Sequence, residues 1–113
     1  MKALVCGGRN FADRRRMWDV LDAAGAWLGI SGIVHGDAPG ADRLAGEWAD
    51  EKCMPQVRFP ADWNKYGRAA GPKRNQQMLD EAKPGVVIAF PGGTGTADMI
   101  RRAERAGVWV IKP

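Results

Sequence analysis

The sequence predicts a doubly wound three-layer α/β/α domain with a five-stranded, mainly parallel sheet. Short apolar runs bounded by glycine or proline alternate with segments of helical periodicity, and such runs are typical of parallel strands buried on both faces. Strands that alternate with helices imply right-handed crossovers, which place helices on both sides of the sheet. The five runs are residues 3–6, 32–35, 56–59, 86–90 and 108–111.

Three strong helical patterns lie between these runs, each with its apolar residues on one face. The first contains Met17, Val20, Leu21, Ala24, Trp27 and Leu28, the second Ala41, Leu44, Ala45 and Trp48, and the third Thr96, Met99, Ile100 and Ala103. A weaker helix is predicted at residues 72–82, with Pro72 near its first turn. Its polarity favours an exposed position.

Length and composition indicate a single globular domain that spans residues 1–113. Hydrophobic residues make up 45% of the chain and charged residues 27%, which argues against a disordered or fibrous protein. No window approaches the roughly 18 apolar residues of a membrane span, and the start of the chain does not resemble a signal peptide. We therefore expect a cytoplasmic protein without a membrane partner.

The few metal-ligating residues and the charge balance limit the possible partners. Two unpatterned cysteines and one histidine supply neither a disulfide framework nor a metal site, so we expect no metal and no cofactor. The net charge of +4 favours an anionic partner. Most of the excess arginines fall on predicted helices without interleaved aromatic residues, which favours a solvated face over a nucleic-acid surface.

Three glycine-rich segments follow predicted strands directly. They are GGRNFAD after the first strand, HGDAPGAD after the second and PGGTGTAD after the fourth. In doubly wound sheets, ligands bind outside the carboxyl ends of the strands, near the point where the strand order reverses. The clustering of glycines at these ends predicts a ligand site where the backbone approaches the ligand closely.

The segment PGGTGT has the features of a phosphate cradle. Gly92, Gly93 and Gly95 stand at the start of a predicted helix, whose first amides and dipole favour an anion. We expect positions 93 and 95 to need glycine for a positive φ or for close backbone approach. The hydroxyls of Thr94 and Thr96 add donors, or Thr96 caps the helix. A plain strand-to-helix turn is the alternative.

Several ordered motifs resemble the SLOG superfamily, also described as lysine-decarboxylase-like. PGGTGT preceded by RNQQM is similar to the LOG-type signature, an R-x-x-x-M helix followed by P-G-G-x-G-T. The segments GGRNF, HGDAPGADRLAGEWA, FPADWNKYGRAAGPKRNQQML and FPGGTGTADM resemble a small bacterial and phage branch related to YpsA-like proteins. This resemblance covers nearly the whole chain and implies a Rossmann-like fold that binds nucleotides or nucleotide-derived signals.

The resemblance implies three kinds of activity. Some relatives are phosphoribohydrolases that cut the N-glycosidic bond of nucleoside 5'-monophosphates, others sense cyclic ADP-ribose-like messengers in antiviral defence, and DprA-like members hold single-stranded DNA. The hydrolase pattern P-G-G-x-G-T-x-x-E has Met99 in place of the glutamate. Asp98 lies about 100° away around the helix, so it is not an obvious replacement.

We therefore expect a sensor or sequestering protein that binds a nucleotide-like ligand rather than an enzyme. The first alternative is an N-glycosidase that uses Asp98, Asp42 or His35, with Arg74 at the position of the family's helix arginine. Binding of single-stranded DNA is the second alternative and rests only on the basic charge and distant kinship.

Each candidate ligand-binding residue has a structural alternative. Arg9 and Arg74 suit a phosphate, or they form surface ion pairs. His35 bonds a ribose or base, or it is a satisfied structural histidine. Asp42 and Asp37 bond a ligand hydroxyl or cap the second helix, and the cap is preferred for Asp42. The candidate ligand-binding residues are Gly7, Gly8, Arg9, His35, Gly36, Asp37, Asp42, Arg74, Asn75, Pro91, Gly92, Gly93, Thr94, Gly95, Thr96 and Asp98.

The remaining aromatic residues bear on the ligand and on assembly. The long polar segment at residues 59–75 is predicted to fold over the site, where Trp63 and Tyr66 stack on a base or pack the segment onto the body. Five tryptophans and five methionines exceed what one thin core hides. We expect a symmetric dimer with helices at the contact, and a monomer is the alternative.

Overall fold

A computed structural model describes residues 1–113 and contains one five-stranded sheet in which every pairing is parallel. The strands are β1 (Lys2–Cys6), β2 (Gly32–His35), β3 (Gln56–Arg58), β4 (Val86–Ala89) and β5 (Trp109–Ile111). Their order in the sheet is β3-β2-β1-β4-β5. The predicted doubly wound α/β architecture is confirmed, and the strand order reverses between β1 and β4.

Five α-helices connect the strands. They are α1 (Arg14–Leu28), α2 (Ala41–Glu51), α3 (Trp63–Tyr66), α4 (Ala70–Gln77) and α5 (Thr94–Arg105). A 3-10 turn at Gly67–Ala69 joins α3 to α4, and a π-helical turn at Met78–Ala82 follows α4. None of these helices has the length and apolar character that crossing a membrane requires.

The two faces of the sheet carry separate cores. Successive residues of a strand point to opposite faces, so Ala3 and Val5 enter one core while Leu4 and Cys6 enter the other. The helical residues of the first core are Met17, Leu21, Ala24, Ala41, Ala45, Trp48 and Ala49 of α1 and α2. Those of the second are Met78, Leu79, Ala82, Met99 and Ala103 of the π turn and α5.

Two sequence expectations for the helices are wrong. The predicted helix at residues 72–82 begins two residues earlier and is only partly exposed, because Met78, Leu79 and Ala82 pack into the second core. Trp27 belongs to the predicted apolar face of α1, but it is 85% exposed and is not part of the first core.

The loops after β1 and β4 meet at the carboxyl edge of the sheet. The amide of Gly8 donates to the carbonyl of Pro91 at 2.8 Å, and the amide of Phe90 donates to Cys6 O at 2.9 Å. The amide of Ala41, at the start of α2, donates to Gly8 O at 3.1 Å. Because the connections after these strands leave toward opposite faces, this edge is where a doubly wound sheet opens a crevice.

Gly40 is the position where this loop arrangement most restricts the side chain. Its φ is +83°, and an added Cβ would overlap Gly8 O and lie 2.5 Å from Arg9 O. We expect Gly40→Ala to lower the free energy of unfolding by about 3 kcal/mol or more, since backbone strain and overpacking each cost roughly 1 to 3 kcal/mol. Urea denaturation measures this loss.

Gly107→Ala is the matched control for Gly40→Ala. Gly107 also has a positive φ, +76°, but an added Cβ would meet no atom within 4 Å. Its substitution therefore costs only the conformational strain of about 1 to 2 kcal/mol. Equal losses in the two variants would contradict the assignment of Gly40 as a packing constraint.

Candidate functional site

Four of the candidate glycines lie in close contact with other parts of the chain. A Cβ on Gly7 would lie 2.6 Å from the Cβ of Ala41, and one on Gly8 would lie 3.0 Å from Pro91 O. A Cβ on Gly36 would overlap the guanidinium of Arg74, and one on Gly92 would lie 2.6 Å from Gly8 N. Internal packing therefore accounts for glycine at Gly7 and Gly92 without a ligand, and a side chain at Gly8 or Gly36 would require its neighbour to shift.

Gly93 and Gly95 differ from these four glycines. A Cβ added at either position would meet no atom within 4 Å, and both residues are exposed. Neither has a positive φ, since Gly93 has φ −101° and Gly95 belongs to α5. The expectation that these positions need glycine for a left-handed conformation is wrong. The open space in front of them leaves room for another molecule to approach the backbone closely.

The first turn of α5 has free amides. Gly93 is the N-cap residue, no side chain caps the helix, and the first bond into the turn runs from Ala97 N to Gly93 O at 3.0 Å. The amides of Thr94, Gly95 and Thr96 therefore have no acceptor within the helix. The capping alternative for Thr96 is not realised, because its buried side chain lies against Gly92.

A groove of about 240 Å³ adjoins this turn on the β5 side. Its lining residues are Ala89, Phe90, Pro91, Gly92, Gly93, Thr96, Ala97, Ile100, Lys112 and Pro113. Lys112 is exposed and brings a positive charge to the groove. Sequence reasoning missed it, although it follows the fifth strand directly and the rule that ligands bind at carboxyl strand ends would have found it.

Arg74 bridges the ends of two strands. Its Nη1 donates to Gly36 O at 2.6 Å and to Phe59 O at 3.3 Å, and its Nε donates to Asn75 Oδ1 at 3.2 Å. The expected alternative of a surface ion pair is not realised. Desolvation by burial lowers the pKa of Arg74, and the negative charge of Asp42 opposes that effect. The arginine remains ionised, because its ordinary pKa is so high.

Asp42 holds the loop between β2 and α2 rather than capping α2. It is 6% exposed, and its Oδ2 accepts hydrogen bonds from the amides of Gly36 and Ala38, each at 3.2 Å. The N-cap residue of α2 is Gly40, with no side-chain cap, so the preferred capping role is wrong. Burial raises the pKa of Asp42, while its hydrogen bonds and the nearby charge of Arg74 oppose the rise.

His35 is a buried residue with both ring nitrogens occupied. It is 1% exposed, its Nδ1 accepts from the amide of Asp37 at 3.0 Å, and its Nε2 lies 3.0 Å from Gln56 Oε1. This arrangement requires the proton on Nε2, which donates to the glutamine. The structural alternative thus describes His35 here. Asp37 itself is half-exposed in a left-handed conformation, with φ 56°.

Asp98 and Asn75 tie α4 to the first turn of α5. Asp98 Oδ2 accepts from Asn75 Nδ2 at 3.0 Å and from Arg102 Nε at 2.8 Å, and Oδ1 lies 3.6 Å from Arg101 Nη2. Asn75 Nδ2 also donates to Gly95 O at 3.2 Å. Partial burial alone would raise the pKa of Asp98, but the bonds from Asn75 and Arg102 and the arginine charges hold it below its ordinary value.

The aromatic segment before α4 packs against that helix. A Cβ on Gly71 would lie 3.3 Å from the ring of Trp63, and the Trp63 side chain is still 52% exposed. Tyr66 is 41% exposed, with the ammonium groups of Lys65 and Lys73 5.1 and 4.9 Å from its ring centre. Packing onto the body, one of the two expected roles, is what the geometry of Trp63 shows.

The candidates therefore fall into two groups. Arg9, Thr94, Gly93 and Gly95 are exposed at the carboxyl edge, with Pro91 beside them. The other candidates are packed against or bonded to other parts of the chain, and they are Gly7, Gly8, His35, Gly36, Asp37, Asp42, Arg74, Asn75, Gly92, Thr96 and Asp98. The sequence patterns did not separate these two groups.

Comparison with known proteins agrees with this architecture. Residues 1–66 match the sequence model of the YAcAr family, described as the YspA, cpYpsA-related SLOG family. The Gene 61 protein of Mycobacterium phage D29 is 36% identical to this chain over an alignment of 120 residues. The alignment covers 97% of this chain and 94% of the phage protein. The expected kinship with the SLOG superfamily is confirmed. The chain belongs to the YspA- and cpYpsA-related SLOG family.

Proposed function

We propose that this protein binds a nucleotide or a nucleotide-derived signalling molecule and acts as a sensor or sequestering protein. A mononucleotide, a cyclic nucleotide and an ADP-ribose-like molecule all fit this class. Membership of the SLOG family is consistent with a nucleotide-related ligand. The observation that carries the proposal is the uncapped first turn of α5, which faces open space at Gly93 and Gly95.

The chemistry of this turn supports a phosphate as the group bound there. Unbonded amides at a helix N-terminus point at the ligand, and the helix dipole favours negative charge. Lys112 adds a positive charge in the same groove. The nearest carboxylate of α5, Asp98, is compensated by Arg101 and Arg102, so it does not repel an anion strongly.

The environments of the acidic candidates support binding without cleavage. A glycosidase needs a carboxylic acid whose pKa is raised so that it donates a proton to the leaving group. The pKa of Asp98 is lowered, and its Oδ2 already accepts two side-chain hydrogen bonds. Met99, at the position of the hydrolase glutamate, is fully buried in the second core. Burial raises the pKa of Asp42, but this carboxyl is only 6% exposed and already accepts from the amides of Gly36 and Ala38. His35 is buried and bonded to the same loop.

Calorimetry against a panel of mononucleotides, ADP-ribose derivatives and cyclic dinucleotides tests the proposal. We expect saturable binding of at least one of them, with the nucleotide recovered intact by chromatography afterwards. Binding to none would refute the proposed function. Released base would support the N-glycosidase instead.

Gly95→Val tests whether the first turn of α5 contacts the ligand. The valine would meet no atom of the protein, so we expect the free energy of unfolding to stay within about 1 kcal/mol of wild type. Its branched side chain would occupy the space of the bound group, so we expect calorimetry to detect no binding. The matched control is Ala106→Val at the exposed far end of the same helix. Unchanged affinity in folded Gly95→Val would show that the turn is only a strand-to-helix connection.

Asp98→Asn tests the ionised state of that carboxylate. A folded pKa below the ordinary value of 3.8 stabilises the protein above that pH, and this stability is lost as the pH falls through the folded pKa. We expect the difference in unfolding free energy between wild type and variant to be present at pH 7 and to shrink below pH 3.8. Asp80→Asn, at an exposed carboxylate, controls for the lost charge. A difference that grows on acidification would contradict the assignment.

Exposed tryptophans support self-association, with a symmetric dimer as the first choice. Trp27, Trp63 and Trp109 are 85%, 52% and 54% exposed, whereas Trp48 is buried. Trp27 and Trp63 lie on helices, the elements expected at the contact. We expect light scattering at micromolar concentration to give about twice the chain mass of 12.3 kDa. The mass of a single chain would contradict the dimer.

A further inference from the structure

A second cleft lies between the β1–α1 loop and α2. The Gly8–Pro91 hydrogen bond separates it from the groove beside α5. Its volume is about 450 Å³, within the range of about 300 to 1,000 Å³ typical of small-molecule sites. The side chains that bear on its chemistry are those of Arg9, Asn10, Phe11, Arg43, Leu44 and Glu47. The proposed phosphate turn at α5 does not line it.

The charge of this cleft is positive. Arg9 and Arg43 are both exposed, and neither forms an ion pair within the chain. The carboxylate of Glu47 is engaged by Arg14 at 2.8 Å. Two guanidinium groups therefore remain uncompensated in one cleft. Planar guanidinium groups with several donors are well suited to phosphate.

The apolar side chains of the cleft pack against the first core. Phe11 packs against Phe90, with ring centres 5.1 Å apart, and Leu44 packs partly buried against the first core. Phe90 also lines the groove beside α5. The aromatic contact thus connects the second cleft with the first groove, and a half-buried apolar surface lies beside the two arginines.

The cleft and the groove lie on either side of one backbone contact. Arg9 follows Gly8, whose amide bonds to Pro91 O, and Pro91 and Gly92 line the groove. A ligand at the carboxyl edge of β1 and β4 therefore borders both. One anionic group of such a ligand would be at the first turn of α5 and a second would be at the arginines.

We propose that Arg9 and Arg43 form a second anion subsite, so that the ligand is a nucleotide with two phosphate groups at separate positions. This inference rests on the proposed function, because it takes the first phosphate to bind at α5. It goes beyond the proposed function by predicting that the ligand has two anionic groups. It also assigns a binding role to Arg43, which the glycine motifs do not indicate.

Calorimetry with paired probes tests the subsite. The probes are the four nucleoside 5'-monophosphates and the corresponding 3',5'-bisphosphates. We expect wild type to bind a bisphosphate at least about tenfold more tightly than its monophosphate, since a charged hydrogen-bonded pair is worth about that factor. Arg43→Gln should remove most of this advantage and leave monophosphate affinity within about twofold, and Arg9→Gln should also remove most of the advantage.

Arg105→Gln is the matched control, because it removes the same charge from an exposed arginine at the far end of α5, away from the carboxyl edge. We expect it to leave both affinities unchanged. Both cleft arginines are exposed, so thermal unfolding should show that all three variants are folded.

The outcomes separate the two proposals. Equal wild-type affinity for monophosphate and bisphosphate, or silent Arg9→Gln and Arg43→Gln variants, would overturn the second subsite while leaving monophosphate binding in place. An equal loss in Arg105→Gln would also overturn it, because the effect would then be general electrostatic attraction. No binding of any probe to wild type would overturn the second subsite and count against the proposed function as well.

Discussion

The contact between the loops that follow β1 and β4 is the constraint on which the rest of the structure depends. The Gly8–Pro91 hydrogen bond holds two backbone segments so close that a Cβ on Gly92 would lie 2.6 Å from Gly8 N and one on Gly8 would lie 3.0 Å from Pro91 O. The start of α2 is drawn into the same contact through Ala41. Because the connections from the two central strands diverge from this point, the groove and the cleft open on either side of it.

A network of hydrogen bonds from polar side chains holds the loops at this edge of the sheet. Arg74 joins the ends of β2 and β3, Asp42 holds the β2–α2 loop, and Asn75 reaches across to α5. Arg74 and Asp42 influence each other's pKa without a direct ion pair, and each remains satisfied by backbone groups. Removing one partner of such a network leaves a buried charge uncompensated, so these residues stabilise the loops that border the site.

Burial and internal hydrogen bonds also decide which side chains near this edge are available to react with a ligand. Desolvation and the charge of Asp42 raise the pKa of the Cys6 thiol to about 12, so this cysteine at the end of β1 is not a nucleophile at neutral pH. His35 and Asp98 are committed to internal bonds. The groups exposed at the edge include the free amides of α5 and the guanidinium of Arg9.

The sequence by itself determined the strands and the order of elements, because hydrophobic periodicity and glycine placement are local properties. All five strands begin and end within one residue of the predicted bounds, and β2 agrees at both ends. Only the tertiary structure decided why each glycine is present, since Gly36 is set by Arg74, 38 residues away along the chain. It also decided that Asp42 bonds a preceding loop and that Arg43 joins Arg9 in one cleft. These roles depend on contacts between distant segments, which no local pattern records.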